Sequence, residues 1–389
     1  MSWNTYYPRP QLRRDSFYSL NGVWQLNDHE INVPFPPESR LSGYNGKIDT
    51  SFEYCRKFIL PEGFTAPGER VILHFGAADQ TAEVYLNDKY ITFHKGGYLP
   101  FSADITDALI PGENELFVLV TDALSHEYPW GKQKKKRGGM WYTPVSGIWQ
   151  SVWLESVPEN HIGSIKIIPD MTGISITVDK NCTADITGTG SFHIAANSPT
   201  RIDIPAPHLW SPDDPYLYDI TLKSGSDTVH SYFALRKIEI KNRKVLLNGK
   251  PLFMNGVLDQ GYFEDGIFLP HSPDEFEADI LRMKKLGINL LRKHIKIEPE
   301  AFYEACDRLG MLVMQDMVNC GGYNFIRDTA LPTIGMTRFP DALRIKKARF
   351  LPGMLWILLI ICTTIHALSH TPYSTKAGGS LMRTITMSF

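Results

Sequence analysis

Residues 270–316 read PHSPDEFEADILRMKKLGINLLRKHIKIEPEAFYEACDRLGMLVMQD, and the reading of this stretch decides the fold. Ser272, Pro273 and Glu275 together predict a helix start, with Ser272 as cap, Pro273 at the first helical position and Glu275 closing a capping box. Phe276, Ile280 and Met283 then recur at helical spacing, and Gly287 suits the left-handed position that ends a helix. Ile288-Asn289-Leu290-Leu291 follows as a short strand of the buried type. The pattern repeats: Pro299 starts a helix, Phe302, Cys306 and Leu309 line one face, Gly310 stops it, and Met311-Leu312-Val313-Met314 is the next strand. With Pro251 to Val257 as the preceding strand, the run is βαβαβ. Apolar strands between amphipathic helices imply a parallel sheet covered on its faces.

In a (β/α) barrel the chemistry lies at the carboxyl ends of the strands. Those ends carry Asp259 with Gln260, Arg292 with His294, and Gln315 with Asp316. Taken singly, such residues are loop caps or sheet-edge salt bridges. Three strands presenting polar groups at equivalent positions point instead to a shared pocket.

Working outward, residues 1–157 alternate like an antiparallel β-domain of the sandwich or jelly-roll type. Val71, Leu73 and Phe75 share a face; Val84 and Leu86 precede an Asn87-Asp88 turn; Leu116, Val118 and Val120 alternate after Pro111-Gly112. Within this segment a basic run, Lys132 to Arg137, precedes Gly138-Gly139-Met140-Trp141-Tyr142. The charges are not interleaved with aromatics, so the run reads as a solvated loop rather than a phosphate-binding surface. Trp141 is a candidate to reach over a neighbouring pocket and stack on a sugar. Residues 158–236 alternate again (Ile165, Ile167, Ile174, Ile176, Val178) and suit an immunoglobulin-like sandwich that serves as a spacer.

Composition narrows the partners. The 389 residues allow two or three domains, and a net charge of −2 gives no electrostatic reason to expect nucleic acid or an anionic membrane. Five scattered cysteines, with no Cys-x-x-Cys pair, form neither a disulfide framework nor a zinc site. No cofactor and no metal are expected. The first residues lack a basic and then apolar leader, so a cytoplasmic location is expected. Oligomeric state is not legible.

Five separated segments carry a family resemblance: NGVWQL at 21–26, GIWQSVWLE at 147–155, LWSPDDPYLYDITL at 209–222, VLLNGKPLFMNGVLDQGYF at 245–263, and LGINLLRKHIKIEPEAFYEACDRLGMLVMQD at 286–316. Together they resemble glycoside hydrolase family 2, the family of β-galactosidases, β-glucuronidases and β-mannosidases. The resemblance implies a multidomain β plus α/β chain: a jelly-roll sugar-binding domain (1–157), an immunoglobulin-like β-sandwich (158–236) and the first part of a (β/α)8 TIM barrel (237–341). It implies a carbohydrate partner and retaining hydrolysis of β-linked sugars by two glutamates, one an acid/base and one a nucleophile, with carboxyls roughly 5–5.5 Å apart. The arginine-to-histidine step after barrel strand 2 falls on Arg292-Lys293-His294, which places His294 against substrate hydroxyls. Asp259 and Asp316 fall in the sugar pocket or just behind it, and Arg292 and Trp141 complete the expected binding set.

The resemblance breaks in the tail. A complete barrel takes roughly 250 residues, and residues 251–341 suffice for about three strands. No Asn-Glu acid/base motif follows in 317–389, and none of residues 342–389 is acidic. No catalytic residue can therefore be assigned, and the chain as written is expected to be inactive. The apolar run Met354 to Cys362 is shorter than the about 20 residues of a membrane-spanning helix, so no membrane association is expected. Read in a shifted register, the degenerate codons for Thr363 to Leu381 admit Asn-His-Pro-Cys-Ile, then Thr-Ile-Phe-Asn-Glu-Gly-Trp-Gly-Gln-Phe. That is the acid/base motif of the family, its glutamate codon straddling Thr375 and Lys376. A frameshift between Asp341 and Ile345 accounts for it, leaving 342–389 as an out-of-frame tail. The competing readings are a non-catalytic carbohydrate-binding or membrane-tethered protein, and an enzyme using Asp316 and Asp259 as its carboxylates.

Overall fold

A computed structural model describes residues 1–136 and 138–321. Arg137 and residues 322–389, on which the expected frameshift and out-of-frame tail fall, lie outside the described residues.

The first segment folds as two antiparallel sheets around one core. The larger has six strands in the order His29–Val33, Gly22–Leu26, Ser51–Ile59, Glu113–Thr121, Thr81–Leu86, Lys89–Lys95. The smaller orders Phe17–Ser19, Val152–Pro158, Glu69–Phe75 and Phe101–Asp104. Val71, Leu73, Phe75, Val84, Leu86, Leu116, Val118 and Val120 all enter this core, as their alternation predicts. Asn87 and Asp88 both have positive φ (51° and 64°), which suits a tight turn between twisted strands. A second, smaller sandwich packs Ile165–Pro169, Gly173–Val178 and Thr200–Asp203 against a four-stranded sheet running from Cys182 to Phe233. Ile165, Ile167, Ile174, Ile176 and Val178 are buried between the two.

The decisive stretch forms a parallel sheet of three strands, Gly256–Asp259, Leu290–Lys293 and Leu312–Gln315, connected by helices Asp274–Lys285 and Glu300–Leu309. Two expectations shift. The first barrel strand begins at Gly256, because Lys250–Pro251 is the last strand of a small antiparallel meander (Ile238–Lys241, Lys244–Leu247). Pro251 has no N–H with which to extend a ladder. The first helix begins at Asp274, with no side chain capping it, so the Ser272 cap is not made. Acidic residues at positions 274, 275 and 277 favour that end electrostatically instead. Gly287 and Gly310 are left-handed, with φ of 79° and 75°, as the stop signals require. Phe276, Ile280, Phe302 and Cys306 bury the helix faces, and each aromatic so buried stabilises by about 1.5–3 kcal/mol.

This core does not belong to the barrel segment alone. Trp3, Tyr98, Leu99, Val145 and Trp149 of the first segment pack into the same cluster as Phe268, Leu291 and Phe302. The Trp3 indole N–H donates to the Pro270 carbonyl at 3.0 Å, and its ring meets Phe276 edge-on. The first domain is thereby fixed over the ends of the barrel strands. Cys55, Cys182, Cys306 and Cys320 are free thiols.

Candidate functional site

Strand register divides the strand-end residues between two faces. Asp259 is directly opposite Lys293, and Lys293 opposite Gln315. Side chains alternate along a strand, so Arg292 falls on the other face. Leu291 and Lys293 are buried toward the helices, whereas Arg292 stands open.

On the open face the structure gathers Arg292, His294 and Asp316. The Asp316 carboxylate accepts from Arg292 Nε at 3.1 Å, lies 3.0 Å from Arg292 Nη2, and is 3.1 Å from His294 Nδ1. Burial acts to raise the Asp316 carboxyl, but hydrogen bonds from His294 and Arg292 and the guanidinium charge outweigh it and hold it below the usual carboxylate range. Asp316 is therefore ionised. Its contact with Nδ1 fixes the orientation of the imidazole and turns Nε2 toward the first domain.

On the helix side, Asp259 enters a network of buried charges. Lys293 Nζ lies 2.8 Å from Asp259 Oδ2 and 2.6 Å from Glu298 Oε1, and Lys296 Nζ lies 2.8 Å from Glu298 Oε2. Lys296 also donates to the carbonyls of Gly261 and Phe268, both at 2.6 Å. Burial opposes ionisation of Lys293, but Glu298 and Asp259 reverse this and raise its pKa. Lys296 is pushed down to about 8 by burial, which Glu298 only partly offsets. Burial acts to raise the Asp259 carboxyl, yet the Lys293 charge keeps it low. This network fastens the loop after the first barrel strand, which brings Tyr262 to the site.

A loop of the first domain covers the open face. Trp130 donates its backbone N–H to the Asn319 carbonyl at 3.0 Å and its indole N–H to the Gly321 carbonyl at 3.1 Å, while Gly321 N–H donates to His126 at 2.8 Å. Lys132 Nζ comes within 3.4 Å of His294 Nε2, and Tyr142 meets His294 edge-on and packs on Tyr262. Trp141 is stacked on Trp130, with the Lys134 ammonium 3.7 Å from its ring centroid. The basic run is thus not a uniformly solvated loop: Lys132 and Lys134 turn inward to a histidine and an indole. Burial lowers the Lys132 pKa, against the pull of Asp316.

Of the expected residues, Arg292, His294 and Asp316 come together, Trp141 belongs to the covering loop, and Asp259 joins the network behind. Sequence reading passed over Lys293, Lys296 and Glu298. Their signal is the alternation that buries Leu291 and so buries Lys293 on the same face, where a charge needs partners. Lys132 and Tyr142 carried no such signal, because only docking of the domains brings them to the barrel. Among the described residues no cluster of three His, Cys, Asp or Glu side chains could hold a metal ion, and no helix is long and apolar enough to cross a membrane.

Comparison with known proteins bears on this arrangement. Family models described as "Glycosyl hydrolases family 2, sugar binding domain", "Glycosyl hydrolases family 2" and "Glycosyl hydrolases family 2, TIM barrel domain" match residues 17–158, 168–236 and 238–335. A β-galactosidase of Thermoanaerobacter pseudethanolicus is 27% identical over 329 residues, covering 75% of this chain and 43% of the relative. A β-glucuronidase of Streptococcus agalactiae is 23% identical over 357 residues, covering 81% and 59%. The chain thus spans well under two thirds of these relatives. The solved β-glucuronidase of Faecalibacterium prausnitzii superposes with a TM-score of 0.68 at 26% identity, covering 80% of this chain and 61% of that one. That of an uncultured Clostridium sp. superposes at 0.75 with 22% identity, covering 94% and 68%, a likeness of fold.

Proposed function

Since the chain belongs to glycosyl hydrolase family 2, we propose that the ends of its three barrel strands form the sugar-binding wall of a retaining β-glycosidase site. The observation that carries this reading is the convergence of Arg292, His294 and Asp316 on one open face, roofed by Lys132 and Tyr142 of the first domain. A guanidinium, an oriented imidazole and a carboxylate offer both donors and acceptors to sugar hydroxyls. Relatives carry the names β-galactosidase and β-glucuronidase, so the proposed ligand is a β-linked glycoside.

We propose further that the chain as written binds without cleaving. A retaining pair needs one carboxyl with a raised pKa to act as acid. Asp259 and Asp316 are both held low by cations and lie on opposite faces, which argues against their forming that pair. Read in a shifted register, the degenerate codons for residues 363–381 admit the family's acid/base glutamate, and the barrel match ends at residue 335, just before the inferred shift.

Ligand-observed NMR of the full chain against methyl β-galactoside, β-glucoside and β-glucuronide tests the binding site. Binding by at least one, lost in His294→Ala and Asp316→Ala while circular dichroism is unchanged, is the expected result; absence of any binding rejects the site. Nitrophenyl β-glycoside turnover abolished by Asp316→Asn would reject the non-catalytic reading. Resequencing codons 335–380 tests the shift, and an unbroken frame that matches an intact relative removes it.

A further inference from the structure

Among the described residues, the positive charges around the open face are not all answered by a carboxylate. Arg292 is paired with Asp316, and Lys134 rests over the Trp141 ring. Lys132 is different. Its ammonium is half-buried, and its hydrogen-bonding partner among the described residues is Nε2 of His294 at 3.4 Å, a ring nitrogen and not a carboxylate. The chain of groups runs Lys132, His294, Asp316, Arg292, two cations about one anion. Among the described residues one positive charge is left over, and it belongs to a first-domain residue seated beside an imidazole of the barrel.

A half-buried ammonium without an anion is costly to desolvate, and the cost is offset when a ligand supplies the negative group. The ammonium has three N–H donors, so two remain after the bond to His294. A carboxylate accepts such donors as charge-assisted hydrogen bonds, about twice as strong as those of a neutral hydroxyl. We propose that Lys132 is a specificity-determining residue of this site, selecting glycosides whose sugar carries a carboxylate over their neutral counterparts. The proposal rests on the reading of the strand ends as a sugar site.

The test compares pairs that differ only at the C5 substituent: methyl β-glucuronide against methyl β-glucoside, and methyl β-galacturonide against methyl β-galactoside. Affinities are measured by titration of the full chain. At least one uronide should bind about tenfold tighter than its neutral partner, the factor that corresponds to one charge-assisted bond of about 1.4 kcal/mol. That preference should weaken as salt is raised. Lys132→Met, which keeps the apolar stem, should abolish the preference, and Lys132→Arg should retain it. Equal binding of neutral and acidic partners to the unmodified chain overturns the proposal and leaves the sugar site standing. A preference that survives in Lys132→Met overturns it as well. If no glycoside binds, the sugar-site reading fails, and the role of Lys132 fails with it.

Discussion

Replacing Arg14 by Met should cost the folded chain about 3–5 kcal/mol at pH 7, because it leaves two buried carboxylates without their shared cation. The guanidinium, 5% exposed, joins the first domain to the second. Its Nε and Nη2 donate to the two oxygens of Asp227 at 2.8 and 2.9 Å, Nη1 to Glu155 at 3.1 Å, and Nη2 also to the Ile162 carbonyl at 2.6 Å. Burial alone would weaken its hold on its proton, but Asp227 and Glu155 more than reverse that. Methionine fills the stem and removes all four bonds. Asp227 keeps the Ile162 N–H and Glu155 keeps Tyr7 and Trp153, so the carboxylates stay in place without the guanidinium they share, Glu155 retaining only the more distant charge of Arg9. The loss should depend on pH. Burial acts to raise Glu155, yet the Arg9 charge, with hydrogen bonds from Trp153 and Tyr7, brings it to about 2. A depressed carboxyl contributes stability that is complete above its unfolded value of about 4.3 and is lost as pH falls toward 2. Removing a cation 3.1 Å from Glu155 lets its folded value rise, so the difference from the parent is greatest at pH 7 and shrinks as pH falls from about 4 toward 2. Urea midpoints followed by tryptophan fluorescence at pH 7 and at about pH 2.5 measure both quantities. A loss under about 1 kcal/mol at pH 7, or an equal loss at the two pH values, would refute the reasoning.

Other expectations follow the same physics. Burial drives His74 down to about 3, so it is neutral in the folded chain; unfolding lets it take a proton below pH 6.5, and stability should fall from there toward pH 3. His74→Phe should flatten that part of the urea-midpoint profile. Gly310→Ala should destabilise by roughly 1–2 kcal/mol in the same assay, since φ is 75° and an added Cβ would meet the Pro212 carbonyl oxygen at 2.4 Å. Glu298→Leu should cost about 3–5 kcal/mol and make the loop 260–269 more susceptible to limited proteolysis, whereas adding Lys296→Met should recover part of the loss.

Much of this was legible in the sequence because it depends on periodicity. Alternation along residues 71–75, 84–86 and 116–120 fixes one sandwich core, and helical spacing from Phe276 to Leu309 fixes the barrel helices. Stop signals at Gly287 and Gly310 need only a local conformation. The strand-end rule likewise found Arg292, His294 and Asp316. Three things escaped. The Ser272 cap competes with the geometry of Pro273, which itself adopts helical φ and ψ of −55° and −29°. Trp3 and Arg14 act at sequence separations above 200 residues, which no local pattern encodes. Lys132 was read with its basic neighbours as one solvated run, although a first-domain loop bonded to residues 319 and 321 carries it to the barrel.

The adjacent pair Arg292 and Lys293 explains why one barrel strand can serve both scaffold and site. Alternation forces the two cations to opposite faces, so each must find its own anion: Asp316 on the open side, Asp259 with Glu298 on the helix side. The buried side is closed, since Glu298 is shared with Lys296 and its loop carbonyls. The open side is not, because among the described residues Lys132 adds a second cation against the one carboxylate of Asp316. An exchange of scaffold residues therefore acts on stability, whereas an exchange at Lys132 acts on which ligand balances the charge. The two effects are separable by experiment because they reside on opposite sides of the strand Leu290–Lys293.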